Sequence, residues 1–382
     1  MQNKNYSHPD LTLPEGVVSD FVDNGNGLRM HVLRSEKMTK DSALVLLMHG
    51  FPELAYSWRK IIPPLMDAGY VVVAPDQRGY GETIETQVTY SDDITPYNFA
   101  NLAKDAVGLI NALGYKHAEA IIGHDSGSFV AGTCSLLYPE FFRSCVMMSA
   151  PFTGAPLTSP SDSNYRPKKL SDLDVELLSL SPPRKHYQVY FSGETANQDL
   201  LTCSQGVHNF LRAYYHHKSA DWIGNKPFQL KGWDAAELAK MPTYYIMEAN
   251  KTMPETVAEF MPTDDAIAAC EWLTEDELNI YSSQYQINGF QGGMQWYRCM
   301  IEGVNRQALL PFSGRTIDVP SMFLSGSNDW GNFQAPGSLE HMRDTVCTNM
   351  LSTTFIDNAG HWVQQEQSQE TAKYIIEFLR SK

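Results

Sequence analysis

From Ser42 onward the chain alternates short, nearly unbroken apolar runs with segments of helical spacing. Ala43 to Met48, Val71 to Ala74, Ala118 to Ile122 and Cys145 to Ser149 have the length and continuity of buried strands. Between them, Ser57 to Ala68, Asn98 to Leu113 and Ser128 to Tyr138 repeat apolar residues at helical intervals, as crossover helices of a parallel sheet do. The alternation stops near Phe152 and resumes after Phe312, where Ser321 to Ser325 and Ser352 to Ile356 read as strands and Glu366 to Leu379 as a closing amphipathic helix. The expectation is an α/β fold with a mostly parallel, doubly wound sheet built from residues 1–151 and 313–382 and interrupted by a helical cap over 152–312. The inserted stretch is rich in Tyr, Trp, Met and Pro and shows no strand alternation.

Composition narrows the partners. A formal net charge of -15 disfavours nucleic acid and anionic membrane surfaces. Eleven of the acidic residues lie between Asp234 and Glu277 against Lys240 and Lys251, a run that reads as a solvated outer face of the insert. Within it, Thr274-Glu275-Asp276-Glu277 has the form of a capping box opening a helix toward Tyr285. The six cysteines show no paired metal-binding spacing, so reduced thiols in a cytoplasmic protein are expected. Met1 to Asp10 is polar and lacks the features of a signal peptide, and no run has the length of a membrane span.

The chemistry centres on Ile121-Ile122-Gly123-His124-Asp125-Ser126-Gly127, a strand running into a tight turn. A strand-to-helix elbow strains its apical residue and needs small neighbours two positions away on either side. Gly123 and Gly127 put Asp125 at the apex, whereas Ser126 as nucleophile would place His124 where only a small side chain fits. An aspartate there attacks carbon and leaves an ester on the protein. In a parallel α/β sheet the other reactive groups should follow the carboxyl ends of further strands. Asp329 follows one late strand and His361 the next, giving the order nucleophile, acid, histidine of α/β-hydrolases. A carboxylate on one ring nitrogen fixes the tautomer of a histidine whose other nitrogen takes a proton from water. His49-Gly50-Phe51-Pro52 follows the first strand, a turn open to a cis proline, and can aim the Phe51 amide beside that of Ser126 as an oxyanion hole.

Taken together, His49 to Glu53 with Trp58-Arg59, Asp76 to Gly81, Gly123 to Gly127, Ala150-Pro151-Phe152 and Gly360-His361 resemble the epoxide hydrolases of the α/β-hydrolase superfamily, over most of the chain. Tyr187 to Phe191 and Gly289 to Gly292 with Trp296-Tyr297-Arg298 resemble that family's cap segments. The resemblance implies hydrolysis of an epoxide to a vicinal diol through an ester on Asp125, with His361 as base and Asp329 as its orienting acid. It implies that Tyr187 and Tyr297 donate to the epoxide oxygen, with Tyr190 the alternative to Tyr187, and that no cofactor or metal is needed. Pro52, Phe152, Trp296 and Trp362 are the candidate pocket residues, and the aromatic cap suggests an apolar or aromatic epoxide handled by a monomer or homodimer. Ser126 and Ser128 stand where the family commonly has Trp and Gly. Competing readings are a haloalkane or fluoroacetate dehalogenase, for which the halide- and carboxylate-holding residues are missing at 51, 126 and 128, another lid-dependent hydrolase or cyclase, and a binding protein on the same fold.

Overall fold

The computed structural model describes residues 12–84, 86–157 and 167–382, so the polar run Met1 to Asp10, read above as lacking a leader, lies outside them. Ten strands in chain order are β1 (Val17–Asp23), β2 (Arg29–Ser35), β3 (Leu44–Met48), β4 (Val71–Pro75), β5 (Ala120–His124), β6 (Cys145–Met148), β7 (Arg184–His186), β8 (Ile246–Glu248), β9 (Ser321–Gly326) and β10 (Met350–Ile356). Eight form one sheet in the order β1-β2-β4-β3-β5-β6-β9-β10. From β4 to β10 the pairs are parallel, and β1 and β2 join antiparallel at one edge. Every residue of β3, β4, β5, β6 and β9 is buried, the condition for strands covered on both faces, which explains why their sequences are continuous apolar runs. Covering helices include α1 (Ile62–Asp67), α2 (Phe99–Ala112) and α3 (Ser126–Leu137).

Register decides where the chemistry falls. Met48 is opposite Gly123, His124 opposite Met148, and Met148 opposite Leu324. The carboxyl ends of β3, β5, β6 and β9 are therefore level, and the segments that leave them share one rim of the sheet. β6 and β9 are neighbours although the whole insertion separates them in sequence. The insertion carries α4 (Tyr187–Phe191), α5 (Gly206–Lys218), α6 (Glu275–Asn288) and α7 (Gln291–Ile301), and α8 (Ser368–Ser381) closes the chain on the core.

Three features differ from the sequence reading. The antiparallel strands β1 and β2 precede Ser42, and β1, at the sheet edge, is mostly half-exposed, so it has no continuous apolar run to announce it. The insertion is not wholly helical: β7 and β8 form an antiparallel ribbon of three residues each, too short to display a period. The acidic stretch is also more than a solvated face. Asp234 caps a helix, Glu255 and Glu277 close capping boxes with Thr252 and Thr274, and Glu277 pairs with Arg59 of the core at 2.7 Å. The box at Thr274 opens α6, as its spacing predicts.

The cap is seated on the rim by direct contact. A Cβ on Gly292 would come within 2.1 Å of the Gly79 carbonyl oxygen, and one on Gly79 within 2.5 Å of the Gly292 carbonyl oxygen, so two backbones meet where no side chain fits. Tyr215 donates to the Pro52 carbonyl at 3.0 Å and Trp296 to the Arg78 carbonyl at 3.0 Å. No helix among the described residues is long and apolar enough to cross a membrane.

Candidate active site

Asp125 sits between β5 and α3 at φ 52° and ψ -123°, a conformation L-residues seldom adopt. It persists because the elbow leaves no alternative space. A Cβ on Gly123 would lie 1.9 Å from the Gly127 carbonyl oxygen, and one on Gly127 would lie 2.2 Å from that of Met48. Gly50 lets the first-strand turn approach in the same way, since its Cβ would fall 2.4 Å from that of Asp125. The Phe51-Pro52 bond is cis, and the Phe51 amide donates to Asp125 Oδ1 at 3.1 Å. Ser126 is the first residue of α3, where backbone N–H groups have no intrahelical acceptor.

Oδ2, the other oxygen of Asp125, faces His361 Nε2 at 3.2 Å, off the line of a hydrogen bond. Across the ring, Nδ1 of His361 lies 3.1 and 3.2 Å from the two oxygens of Asp329. Asp329 also accepts the Gly331 amide at 2.7 Å and the Ser325 hydroxyl at 3.2 Å. A carboxylate can only accept, so Nδ1 carries a proton toward Asp329, which fixes the ring with Nε2 turned to Asp125. Burial, the largest single influence, raises the pKa of Asp329 and of Asp125, but His361 and Lys218, with the Gly331 amide at Asp329 and His124 at Asp125, together outweigh it, so both carboxyls stay below their ordinary range.

Tyr187, at the start of α4, and Tyr297, on α7, bring their rings to 6.0 Å over the rim. The Tyr297 ring also packs edge-on against Phe51 at 5.4 Å. Tyr187 donates to Gln334 at 3.1 Å and accepts from Gln188 at 3.1 Å. Burial, with a contribution from Asp125, pushes both phenol pKa values up, so they stay protonated. Tyr190, the alternative, instead donates to Asp199 at 2.9 Å within the cap.

The pocket candidates divide. Pro52 belongs to the cis turn and gives its carbonyl to Tyr215, Phe152 packs on Gly132 of α3, and Trp362 lies edge-on to His361 at 4.7 Å. Trp296 does not face the site: its indole is turned to the Arg78 carbonyl and packs on Tyr80 at 5.2 Å, locking the cap to the core. Phe51, whose amide reaches Asp125, instead packs its ring on Phe191, Phe290 and Tyr297 at 5.1, 6.3 and 5.4 Å.

Two supporting groups escaped the sequence reading. Both ring nitrogens of His124 face acceptors, Nδ1 the Glu53 carboxylate at 2.6 Å and Nε2 the His361 carbonyl at 2.7 Å, an arrangement in which both donate. Burial opposes this charge, yet Glu53 raises the His124 pKa and His124 lowers that of Glu53. Gly50, Gln364 and Gln365 also donate to Glu53, so one buried pair ties together the first turn, the elbow and the base loop. The second is Glu366, whose carboxylate accepts the amides of Gly360 and Trp362, on either side of His361, and that of Ala220 in the cap, at 2.8, 2.9 and 2.8 Å. The turn of helix separating Glu366 from His361 was the available signal.

Residues 43–367 match the family model described as the alpha/beta hydrolase fold. Epoxide hydrolase B of Mycobacterium tuberculosis is 31% identical over 363 residues, covering 93% of this chain and 96% of that relative. Epoxide hydrolase A of the same organism is 29% identical over 376 residues, covering 95% and 98%. Among solved structures, epoxide hydrolase A from Mycobacterium thermoresistibile aligns with a TM-score of 0.73 at 29% identity, over 96% of this chain and 98% of that one. An epoxide hydrolase from an endophytic Streptomyces gives 0.74 at 25% identity, over 96% of each.

Proposed function

The chain belongs to the α/β-hydrolase fold family and within it to the epoxide hydrolases, and on that premise we propose how its own residues convert an epoxide to a vicinal diol. Asp125 Oδ2 attacks an epoxide carbon opposite the breaking C–O bond, since Oδ1 is held by the Phe51 amide and becomes the ester carbonyl. The leaving oxygen takes a proton from the pair Tyr187 and Tyr297, which residues 152–312 hold over the rim as a cap. In the second half-reaction a water gives its proton to His361 Nε2 and adds to the ester carbon. The charge that develops on Oδ1 is met by the amides of Phe51 and Ser126. On collapse the ester C–O bond breaks, His361 returns its proton to the departing diol oxygen, and the acid left on Asp125 gives its proton to the tyrosinate formed in the first step, restoring carboxylate and phenol. The aromatic walls suit an apolar or aromatic substituent on the ring.

The single observation that carries this reading is His361 lying between Asp329 and Asp125, with its Asp125-facing nitrogen as the base. Replacing His361 by Gln is expected to permit alkylation and stall hydrolysis. Intact mass should rise by the mass of the epoxide, on the peptide containing Asp125. In heavy-oxygen water, the first turnover of the unaltered enzyme should put the label into Asp125 and unlabelled oxygen into the diol. Label found directly in the diol, with none in the protein, would remove Asp125 as nucleophile.

A further inference from the structure

Lys218, the last residue of α5, is 3% exposed, and its ammonium makes no hydrogen bond with any described residue. It lies 5.3 Å from the ring centre of Tyr214, 5.9 Å from Tyr244, 5.1 Å from Tyr245 and 5.3 Å from Trp362, the neighbour of His361. Aromatic faces offset part of the loss of water, but an ammonium has three donors and rings supply no lone pair. Nζ is therefore a buried cation ringed by aromatic faces, with no hydrogen-bonding partner among the described residues. Tyr214 stands one helical turn earlier, 1% exposed, and its hydroxyl likewise makes no hydrogen bond with any described residue.

Both groups sense the nucleophile: Asp125 acts on the Lys218 ammonium and on the Tyr214 phenol, and Tyr187 acts on that phenol too. The nearby carboxylates are otherwise engaged. Glu53 is held by His124, Asp329 by His361, Gly331 and Ser325, and Asp125 by Phe51. The backbone of Lys218 already has a task, because its carbonyl accepts the His361 amide at 2.9 Å, but that bond needs no ammonium.

We propose that Lys218 and Tyr214 form a subsite for an anionic oxygen of the substrate, so that the preferred epoxides carry a carboxylate within a few bonds of the ring. The aromatic walls take the hydrocarbon end and this pole takes the acid. The inference rests on the epoxide-hydrolase reading for the reaction it steers. Burial disfavours the charge on Lys218 and Asp125, Asp329 and Glu53 support it, so an incoming carboxylate would act in the same sense as groups already present.

The test compares trans-phenylglycidate, its amide and trans-β-methylstyrene oxide in the unaltered enzyme and in Lys218→Met, Lys218→Arg and Tyr214→Phe. The acid should be favoured over the methyl analogue by about tenfold or more in kcat/KM, chiefly through KM. Lys218→Met should collapse that ratio toward one whatever it does to the neutral epoxide, Lys218→Arg should keep most of it, and Tyr214→Phe should reduce it. Calorimetry with hydrocinnamate, an unreactive carboxylate, should show the same order of affinities without turnover. Equal losses on acid and neutral substrates would mark Lys218 as a counter-charge or packing group and overturn the subsite. Turnover of neutral epoxides with no preference for the acid would do the same while leaving the hydrolase reading intact. Absence of diol from every epoxide would instead strike that reading, and hydrocinnamate binding would then decide the subsite alone.

Discussion

A methyl group added at Gly127 would meet the Met48 carbonyl oxygen at 2.2 Å, so Gly127→Ala must move either the elbow or β3. It is expected to destabilise the fold by about 1–3 kcal/mol and to lower activity further than stability alone explains. Thermal denaturation alongside alkylation kinetics separates the two effects. Tyr297→Phe removes the donor proposed for the developing alkoxide while keeping the ring that packs on Phe51, and should slow alkylation by about 10²–10³, read by rapid quench, with little change in Tm. The Glu53–His124 pair makes a prediction about pH. Glu53, with a lowered pKa, contributes above its ordinary value of 4.5 and loses that contribution as pH falls further. His124, with a raised pKa, contributes fully below 6.5 and loses it as pH rises through its folded value. The Tm advantage over Glu53→Gln should thus be greatest between pH 4.5 and 6.5 and shrink on both sides; a difference independent of pH would mean the pair is not ionic. At this scale Asp125, Asp329 and His361 were legible because each follows a strand end with a local signature. Lys218, Glu366 and the ionised state of His124 were not, since their roles depend on partners distant in sequence that register alone brings together.

Strands buried on both faces are the easiest elements to read from a sequence, and β3, β4, β5, β6 and β9 were found close to their true limits. β1 was missed because a partly exposed edge strand needs no apolar run, and β2, though mostly buried between β1 and β4, mixes Arg29, His31, Arg34 and Ser35 among its apolar residues. The region Ser57 to Ala68, read as one helix, is a short 3-10 turn at Ala55–Trp58 followed by α1, where Pro63 and Pro64 favour a fresh helix start over continuation of an earlier one. Within the cap, the Thr274 capping box was legible but the placement of α7 was not, because Gly79 and Gly292 lie far apart in the chain and only the fold reveals that their backbones touch. Gly292→Ala should lift α7 from the rim and displace Tyr297 without altering any reactive group. Loss of alkylation rate with undiminished hydrolysis of a preformed ester would be the expected outcome, whereas equal loss of both would point to general unfolding.

Over the whole molecule, sheet and cap are one construction, since the cap hydrogen-bonds to the turn at Pro52, to Arg78 and to the loop of His361. The net charge of -15 sits largely outside the site, where local caps and ion pairs absorb part of it. The split sheet has a temporal side. As the chain emerges during synthesis, β6 is complete long before β9 exists, so one side of a central, wholly apolar strand must wait unpaired while the entire insertion is made. During that interval the nascent chain already contains Asp125 but neither the base nor the orienting acid proposed for it, so a ribosome that stops early is expected to leave an adhesive edge and no activity. Docking of β9 then covers the edge and brings in Asp329 in one event, and β10 and its following loop bring in His361, so on the proposed mechanism the late step that buries the edge also completes the site.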